Sequence, residues 1–166
     1  MKTRRIAFLG LMVALAFVLS YVEMLLPIHI GIPGAKIGLA NLSVMVALYV
    51  IGPTDALILS IVRVVLVGFT FGNMAMMMYS LAGALLSFVA MMIGKRTKLF
   101  SAVGVSVLGG VFHNVGQILV AMVVMETSRL TYYLPFLVVM GVISGIIIGI
   151  VAGMIVQRVA PFGKNR

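Results

Sequence analysis

The sequence contains no cysteine, no tryptophan and only three acidic residues. Without cysteine there is no disulfide, iron–sulfur ligation, thiol nucleophile or covalent haem attachment. The acids Glu23, Asp55 and Glu126 are not predicted deep in any apolar segment, so neither a carboxylate proton relay nor a pair of catalytic carboxylates is expected. The phosphate-binding pattern G-x-x-x-x-G-K-[ST] is also missing, which excludes ATP hydrolysis by a P-loop. These absences argue against an enzyme that works by itself.

What the sequence does contain is mostly apolar. Hydrophobic residues make up 63% of the chain, mean hydropathy is +1.29 and charged residues make up 9%, whereas about a quarter of a soluble domain is charged. The apolar runs predict an all-α membrane protein, a six-transmembrane-helix bundle that forms a single integral membrane domain over residues 1–166. The predicted spans are about 6–26, 37–51, 56–71, 74–93, 100–125 and 133–159.

The basic residues predict the orientation of this bundle. The formal net charge is +9, and the spans above place most Lys and Arg residues on the face that carries both termini. Basic loops resist translocation, so both termini are predicted to be cytoplasmic and the protein to lie in the plasma or inner membrane. Clusters this short favour anionic lipid headgroups over nucleic acid as partners. The residues on that face are Lys2, Arg4, Arg5, Lys95, Arg96, Lys98, Arg158, Lys164 and Arg166.

The second span is unusually short for a crossing. Residues 37–51 would rise only ~22 Å as a helix, less than the ~30 Å hydrocarbon core. Either this helix starts below the outer surface or the loop Pro27–Lys36 dips in to meet it.

Polar residues within or beside the spans predict a ligand pocket in the outer half of the membrane. An ionisable group at mid-membrane costs about 2.5 kcal/mol or more unless it is paired or hydrated, and Arg63 is such a group. His113 and Gln117 lie one helical turn apart on one face, with Asn114 beside them. The predicted ligand-binding residues are Lys36, Asn41, Arg63, Asn73, His113, Asn114 and Gln117.

In this hypothesis Arg63 and Lys36 meet an anionic or carbonyl-bearing group, the amides and His113 give directional hydrogen bonds, and the Pro27–Lys36 loop is a lid. The alternative is that these groups only join the helices, with hydrogen bonds of about 0.6 kcal/mol each. No metal site or bound cofactor is expected, because His113 is the one histidine predicted to be buried and no carboxylate is near it in sequence.

Small residues recur at helical spacing on two spans. Gly141, Gly145, Gly149 and Gly153 repeat every four residues on span six, which favours close packing within the bundle. On span one, Ala7, Gly10 and Ala14 lie on one face near the cytoplasmic end. For that face, packing within the chain and docking of a partner subunit are both open.

Several motifs occur in a fixed order along nearly the whole chain. They are Gly34-Ala-Lys36-Ile-Gly38-Leu-Ala40-Asn41, Arg63 in the following span, Phe71-Gly72-Asn73, Tyr79-Ser80-Leu-Ala-Gly83 and His113-Asn114-Val-Gly116-Gln117. In these motifs the chain resembles the membrane family called heptaprenyl diphosphate synthase component I, also called the Gx transporter family. That family in turn resembles the substrate-binding S subunits of energy-coupling factor (ECF) transporters.

The resemblance implies a six-helix protein that captures a vitamin-like ligand beneath an outer loop. It would then pass the ligand inward by toppling against a transmembrane T subunit driven by two ATPases. It also implies that Ala7, Gly10 and Ala14 form the face that docks on the T subunit. Family members further resemble a membrane component of flavin-based extracellular electron transfer, so quinones and flavins are among the candidate ligands.

Three functional hypotheses follow. The leading one is a non-enzymatic, S-subunit-like protein that binds a small ligand from outside for uptake with separate T and ATPase subunits. The second is a non-catalytic component of quinone or prenyl-lipid metabolism, or of membrane electron transfer. A third and weaker hypothesis is a structural assembly subunit that uses the glycine face of span six between molecules.

Overall fold

A computed structural model describes residues 2–25 and 38–163 of the chain. These residues form helices with no strand among them, which confirms the predicted all-α class. The helices are α1 (Lys2–Leu25), α2 (Asn41–Val50), α3 (Pro53–Phe71), α4 (Met74–Thr97), α5 (Ala102–Val124) and α6 (Leu134–Gly163), with a 3₁₀ turn at Ser128–Tyr133. Lys36 and the predicted lid Pro27–Lys36 lie outside the described residues.

Five of the helices are long and apolar enough to cross a membrane, namely α1, α3, α4, α5 and α6. Their outward surfaces carry large apolar side chains, such as Phe69 at 75% and Val123 at 77% exposure. Apolar surface on this scale is unfavourable in water and is expected where the surroundings are lipid. The protein is therefore a multi-pass membrane protein.

The sixth helix, α2, lies in the centre of the bundle and is too short to cross. Its ten residues rise ~15 Å, about half of the hydrocarbon core. Every residue from Ser43 to Leu48 is buried, so the helix is covered on all sides rather than on one face. It begins at Asn41, four residues later than the predicted span, at the level of Arg63 in the middle of α3.

Charged side chains fix one end of the bundle, the end that carries the start of α1. The Arg5 guanidinium donates from Nε and Nη2 to the two carboxylate oxygens of Asp55, at 2.9 and 2.7 Å, and joins the starts of α1 and α3. Gly52 is the N-cap of α3, and Asp55 lies in the first turn of that helix.

Lys95, near the end of α4, binds the last turn of α2 at this same end. Its Nζ donates to the Leu48 carbonyl at 2.6 Å and lies 4.6 Å from the centre of the Tyr49 ring. The last carbonyls of a helix lack hydrogen-bond partners within the helix and carry partial negative charge. A cation at this end donates a hydrogen bond to such a carbonyl and offsets the charge. Because α2 and α4 end where α1 and α3 begin, these four helices alternate in direction.

Close packing of α5 on α6 confirms that the glycine repeat acts within the chain. A Cβ built on Gly145 would lie 2.6 Å from Val107 Cα, and one on Gly149 would lie 2.7 Å from Val103 Cα. Gly141 approaches the backbone of Gly110 in the same way. Only glycine allows helix backbones to come this close. At Gly153 an added Cβ would meet nothing within 4 Å.

Candidate ligand-binding site

One cavity in the described part of the chain has a volume of about 110 Å³. It lies between the far ends of α1 and α3, the first turns of α4, the middle of α5 and the turn before α2, in the half opposite the Arg5–Asp55 pair. Its lining residues are Ser20, Glu23, Met24, Gly38, Arg63, Val64, Val67, Gly68, Phe71, Gly72, Met76, Met77, Ser80 and His113.

Arg63 is the central polar residue of this cavity. Only 8% of it is exposed, although a guanidinium is expensive to remove from water. Among the described residues its one hydrogen bond runs from Nη2 to Asn41 Oδ1 at 3.5 Å, at the outer limit for such a bond. Its Nε is buried and has no partner among them. A guanidinium has five N–H donors, so most of its capacity remains available to a ligand.

Glu23, in the last turn of α1, faces the same cavity and was not among the predicted site residues. Its carboxylate acts electrostatically on the Arg63 guanidinium, and its Oε1 accepts a hydrogen bond from the backbone N–H of Gly38. From the sequence, Glu23 was expected only to lie outside the deep part of the apolar segments. The signal that could have identified it is a lone acid one turn before the end of an otherwise apolar span.

The turn that leads into α2 forms part of the wall. Asn41 N donates to the Gly38 carbonyl at 2.8 Å, and Gly38 has a φ of +79°, which side-chain-bearing residues rarely adopt. A Cβ there would also lie 3.2 Å from Asn41 Nδ2. Gly38 therefore keeps the start of α2 close to Glu23 and Arg63.

The rest of the wall is apolar and adaptable. Phe71 is held by tilted contacts with Phe17 and Tyr21, with ring centroids 5.2 and 5.3 Å apart. Met76 and Met77 also line the cavity, and their unbranched thioether side chains can adjust to different shapes. The site thus combines a charged corner with an apolar body.

A second cavity lies deeper, between α2, α4, α5 and α6, and has a volume of about 10 Å³. Asn41 and Asn114 line it, and Gly38 and His113 line both cavities. A space of this size holds at most about one water molecule. It is too small for an organic ligand, so the larger cavity is the candidate site.

The predicted site residues therefore divide into groups. Arg63 and His113 line the larger cavity, and Asn41 contacts it through Arg63. Asn114 donates from Nδ2 to the Leu137 carbonyl at 2.7 Å and so joins α5 to α6. Asn73 is exposed and caps α4, because its side chain accepts a hydrogen bond from Met76 N at 2.8 Å.

Gln117 packs at the crossing of α4 and α5. A Cβ built on Gly83 would lie 2.8 Å from Gln117 Cγ, and one on Gly116 would lie 2.9 Å from the Ala82 carbonyl oxygen. Neither cavity has Gln117 in its lining. In the His113-Asn114-Val-Gly116-Gln117 motif, the first residue thus faces the cavity, whereas Gly116 and Gln117 are placed at the contact with α4.

The predicted docking residues lie on the outer surface of α1. Ala7, Gly10 and Ala14 are all exposed, and a Cβ added to Gly10 would meet nothing within 4 Å. No group of three or more potential metal ligands is present in the described ranges, 2–25 and 38–163.

Comparison with known proteins gives one match. A family model described as heptaprenyl diphosphate synthase component I matches residues 12–155. The chain belongs to this family. The match confirms the resemblance inferred from the motifs, and every residue that lines either cavity falls within the matched range. No curated protein and no solved structure matches the chain.

Proposed function

We propose that this protein is a non-enzymatic, S-subunit-like membrane protein that binds a small ligand from the outer face for uptake. The observation that carries the proposal is Arg63, a buried guanidinium in the wall of a cavity, most of whose hydrogen-bond donors are unpaired among the described residues. A buried guanidinium that leaves most of its hydrogen-bond donors unpaired destabilises the bundle. An anionic or carbonyl-bearing group of a ligand would offset that cost.

The residues of the cavity wall indicate the polarity and size of the rest of the ligand. Val64, Val67, Phe71 and the methionines would cover an apolar body, while Ser20, Ser80 and His113 could add hydrogen bonds. Sites of this kind, mostly apolar with a few placed polar groups, are typical for small molecules. The volume suits a compact ligand of about one ring whose remaining part extends from the cavity.

The family description includes the word synthase, but the residues support a role without catalysis. Prenyl diphosphate chemistry uses magnesium held by clustered aspartates, and this chain has a single aspartate. That residue, Asp55, is paired with Arg5 at the end of the bundle opposite the cavity. A non-catalytic subunit that works with other proteins agrees with the word component in the same description.

Docking of a T subunit would use the outer face of α1. Within the described residues this helix contacts α2 and α3, and the side with Ala7, Gly10 and Ala14 is left uncovered. Small residues allow a partner helix to approach closely in lipid. Separate ATPases would supply the energy, because this chain has no P-loop.

The second candidate function is a non-catalytic component of quinone or prenyl-lipid metabolism, or of flavin-based extracellular electron transfer. The observation that favours it is the apolar, methionine-lined body of the cavity, which suits a quinone ring or another lipid-soluble head group. In this case the protein would hold a quinone, prenyl diphosphate or flavin and would have no transporter ATPase as partner.

The experiment that tests the proposal is native mass spectrometry of the protein extracted from its own membrane in mild detergent. The proposal predicts a bound small molecule together with a T subunit and two ATPases. A bound quinone, prenyl diphosphate or flavin without ATPases would support the second candidate. Extraction of the bare chain, without ligand or partners, would contradict both.

A further inference from the structure

The wall of the larger cavity between α3 and α4 contains a close contact between a glycine and a methionine. Gly68 lies in the last turn of α3 and Met77 in the first turn of α4, and both line the cavity. A Cβ built on Gly68 would lie 2.9 Å from Met77 Cγ, 3.0 Å from Met77 Cβ and 3.1 Å from Met77 Sδ. The missing side chain of Gly68 therefore leaves a notch in α3, and the Met77 side chain occupies this notch.

The backbone around this contact is held by the connection between the two helices. The Gly72 N–H donates to the Gly68 carbonyl at 3.2 Å and ends α3. On the other side, the Asn73 side chain accepts from Met76 N at 2.8 Å, and Met77 N donates to the Asn73 carbonyl at 2.9 Å. Gly72 and Asn73 alone join α3 to α4, so the two helix ends cannot move far apart. The part of this wall that can move is the Met77 side chain.

Met77 differs from other apolar residues of the cavity wall in how easily it changes shape. Its unbranched thioether side chain can adopt several rotamers at low cost. Val64 and Val67 on α3 are β-branched and have few rotamers. Phe71 is held by its ring contacts with α1. The room for a ligand between α3 and α4 therefore depends on the space that the Met77 side chain takes.

We propose that Met77 sets the upper size of the ligand's apolar body, and that Gly68 holds the Met77 side chain in the notch of α3 and so out of the cavity. The inference rests on the function proposed above, in which Arg63 binds the anionic or carbonyl-bearing group of the ligand. Arg63 and Met77 line the same cavity, so the apolar part of a ligand bound at Arg63 shares that space with the thioether. Wild type would accept one aromatic ring, and a smaller side chain at position 77 would admit a second fused ring.

The test uses aromatic probes of two sizes, each as a carboxylate and as a primary amide: benzoate and benzamide, 2-naphthoate and 2-naphthamide. Binding to the full chain in nanodiscs of uncharged phosphatidylcholine is measured by calorimetry at neutral pH, and the heat with empty nanodiscs is subtracted. The variants are wild type, Met77→Ala, Met77→Leu and, as the matched control, Met78→Ala. Met78 is the next residue of α4, but it is 46% exposed and lies outside the lining of either cavity.

We expect wild type and Met78→Ala to bind each one-ring probe more tightly than its two-ring counterpart. Met77→Ala should raise the affinity for the two-ring probe relative to the one-ring probe by about tenfold or more, since one methylene in an apolar pocket is commonly worth that factor. Met77→Leu keeps the size of the side chain, so its ratio should stay within about twofold of wild type. Each variant is first checked for a wild-type melting profile, and Met77→Val replaces Met77→Ala if the latter does not fold.

A second measurement tests the contact between Gly68 and Met77 and needs no ligand. Gly68→Ala should lower the melting temperature by several degrees, because the added Cβ overpacks the notch. In the Met77→Ala background the same substitution should lower it much less, since Met77 Cγ and Sδ are then absent. Equal losses in the two backgrounds would overturn the role of Gly68.

The outcomes separate this inference from the function on which it rests. An unchanged size preference in a folded Met77→Ala variant, equal to that of Met78→Ala, would overturn the role of Met77 and leave the proposed ligand site in place. Tighter binding of the two-ring probes by wild type would overturn the size limit in the same way. Absence of binding for all four probes in every folded variant would overturn the proposed cavity function and this inference with it.

Discussion

At the scale of single residues, the free-energy cost of burying a polar side chain indicates which residues need a partner. It does not indicate whether that partner is a ligand or a neighbouring helix. Arg63 and His113 were predicted as site residues because polar groups in apolar spans need partners, and both line the larger cavity. Asn114 and Gln117 share the motif with His113, yet they lie against α6 and α4. Sequence spacing gives the position of a residue on its helix, but the rotation of that helix is set by contacts such as Gly83 with Gly116.

Glu23 is the opposite case, because it lines the cavity but was not predicted as a site residue. It lies near the end of α1, and a sequence reading places such residues at the membrane surface, where a charge costs little. The start of α2, however, lies deep in the bundle and brings the Gly38 N–H to Glu23. A contact between an acid near the end of α1 and a backbone N–H just before α2 cannot be inferred from either segment by itself.

Lys95 gives a prediction at this scale. Replacement of Lys95 by Met should lower the free energy of unfolding by about 1–2 kcal/mol, because the Leu48 carbonyl loses a charge-assisted hydrogen bond and α2 loses a cation at its C-terminal end. Thermal unfolding in detergent measures the effect. Lys98→Met is the control, since Lys98 is an exposed residue of the same basic cluster. Equal losses in the two variants would mean that Lys95 acts only through the cluster's charge.

At the scale of elements, the long helices follow from composition, whereas the role of α2 does not. The apolar runs and the charged turns between them predict helices close to those observed. The length of the second apolar run also predicts that this helix is too short to cross the membrane. Its central position could not be derived, because a short apolar helix has the same sequence pattern whether it is covered on one side or on all sides. Burial of every residue from Ser43 to Leu48 is a property of the assembled bundle.

The glycine repeat of α6 gives a matched pair of substitutions. Gly145→Ala should destabilise the bundle by about 1–3 kcal/mol through overpacking, because its Cβ would meet the backbone of Val107 at 2.6 Å. Gly153→Ala, on the same helix, should be neutral or stabilising by up to about 1 kcal/mol, since its Cβ meets nothing and alanine favours helix. Unfolding by heat or by added SDS measures both. A Gly145→Ala variant as stable as Gly153→Ala would contradict the observed packing of α5 on α6.

At the scale of the whole molecule, the basic residues predict which end faces the cytoplasm. The contacts place the starts of α1 and α3 at the same end as the ends of α2 and α4, and that end carries the basic cluster of Lys95, Arg96 and Lys98. The positive-inside rule assigns this end to the cytoplasm. The cavity would then face the outer half of the membrane, as uptake requires.

Because the chain has no cysteine, single introduced cysteines can test this orientation without background labelling. Leu99→Cys lies on the α4–α5 connection and Ser128→Cys on the α5–α6 connection, and both positions are exposed. We expect a membrane-impermeant maleimide to label Ser128→Cys in intact cells and Leu99→Cys only after permeabilisation. The reverse pattern would turn the cavity towards the cytoplasm and contradict uptake from outside.

The most direct test of the ligand site compares two arginines by native mass spectrometry. Wild type, Arg63→Ala and Arg129→Ala are extracted from the source membrane, and the fraction of protein that carries a bound small molecule is measured. Arg129 lies on the exposed turn between α5 and α6, outside the lining of either cavity. We expect the bound molecule to be lost in Arg63→Ala and retained in Arg129→Ala, with both variants folded. Retention of the molecule in a folded Arg63→Ala variant would show that Arg63 does not bind the ligand.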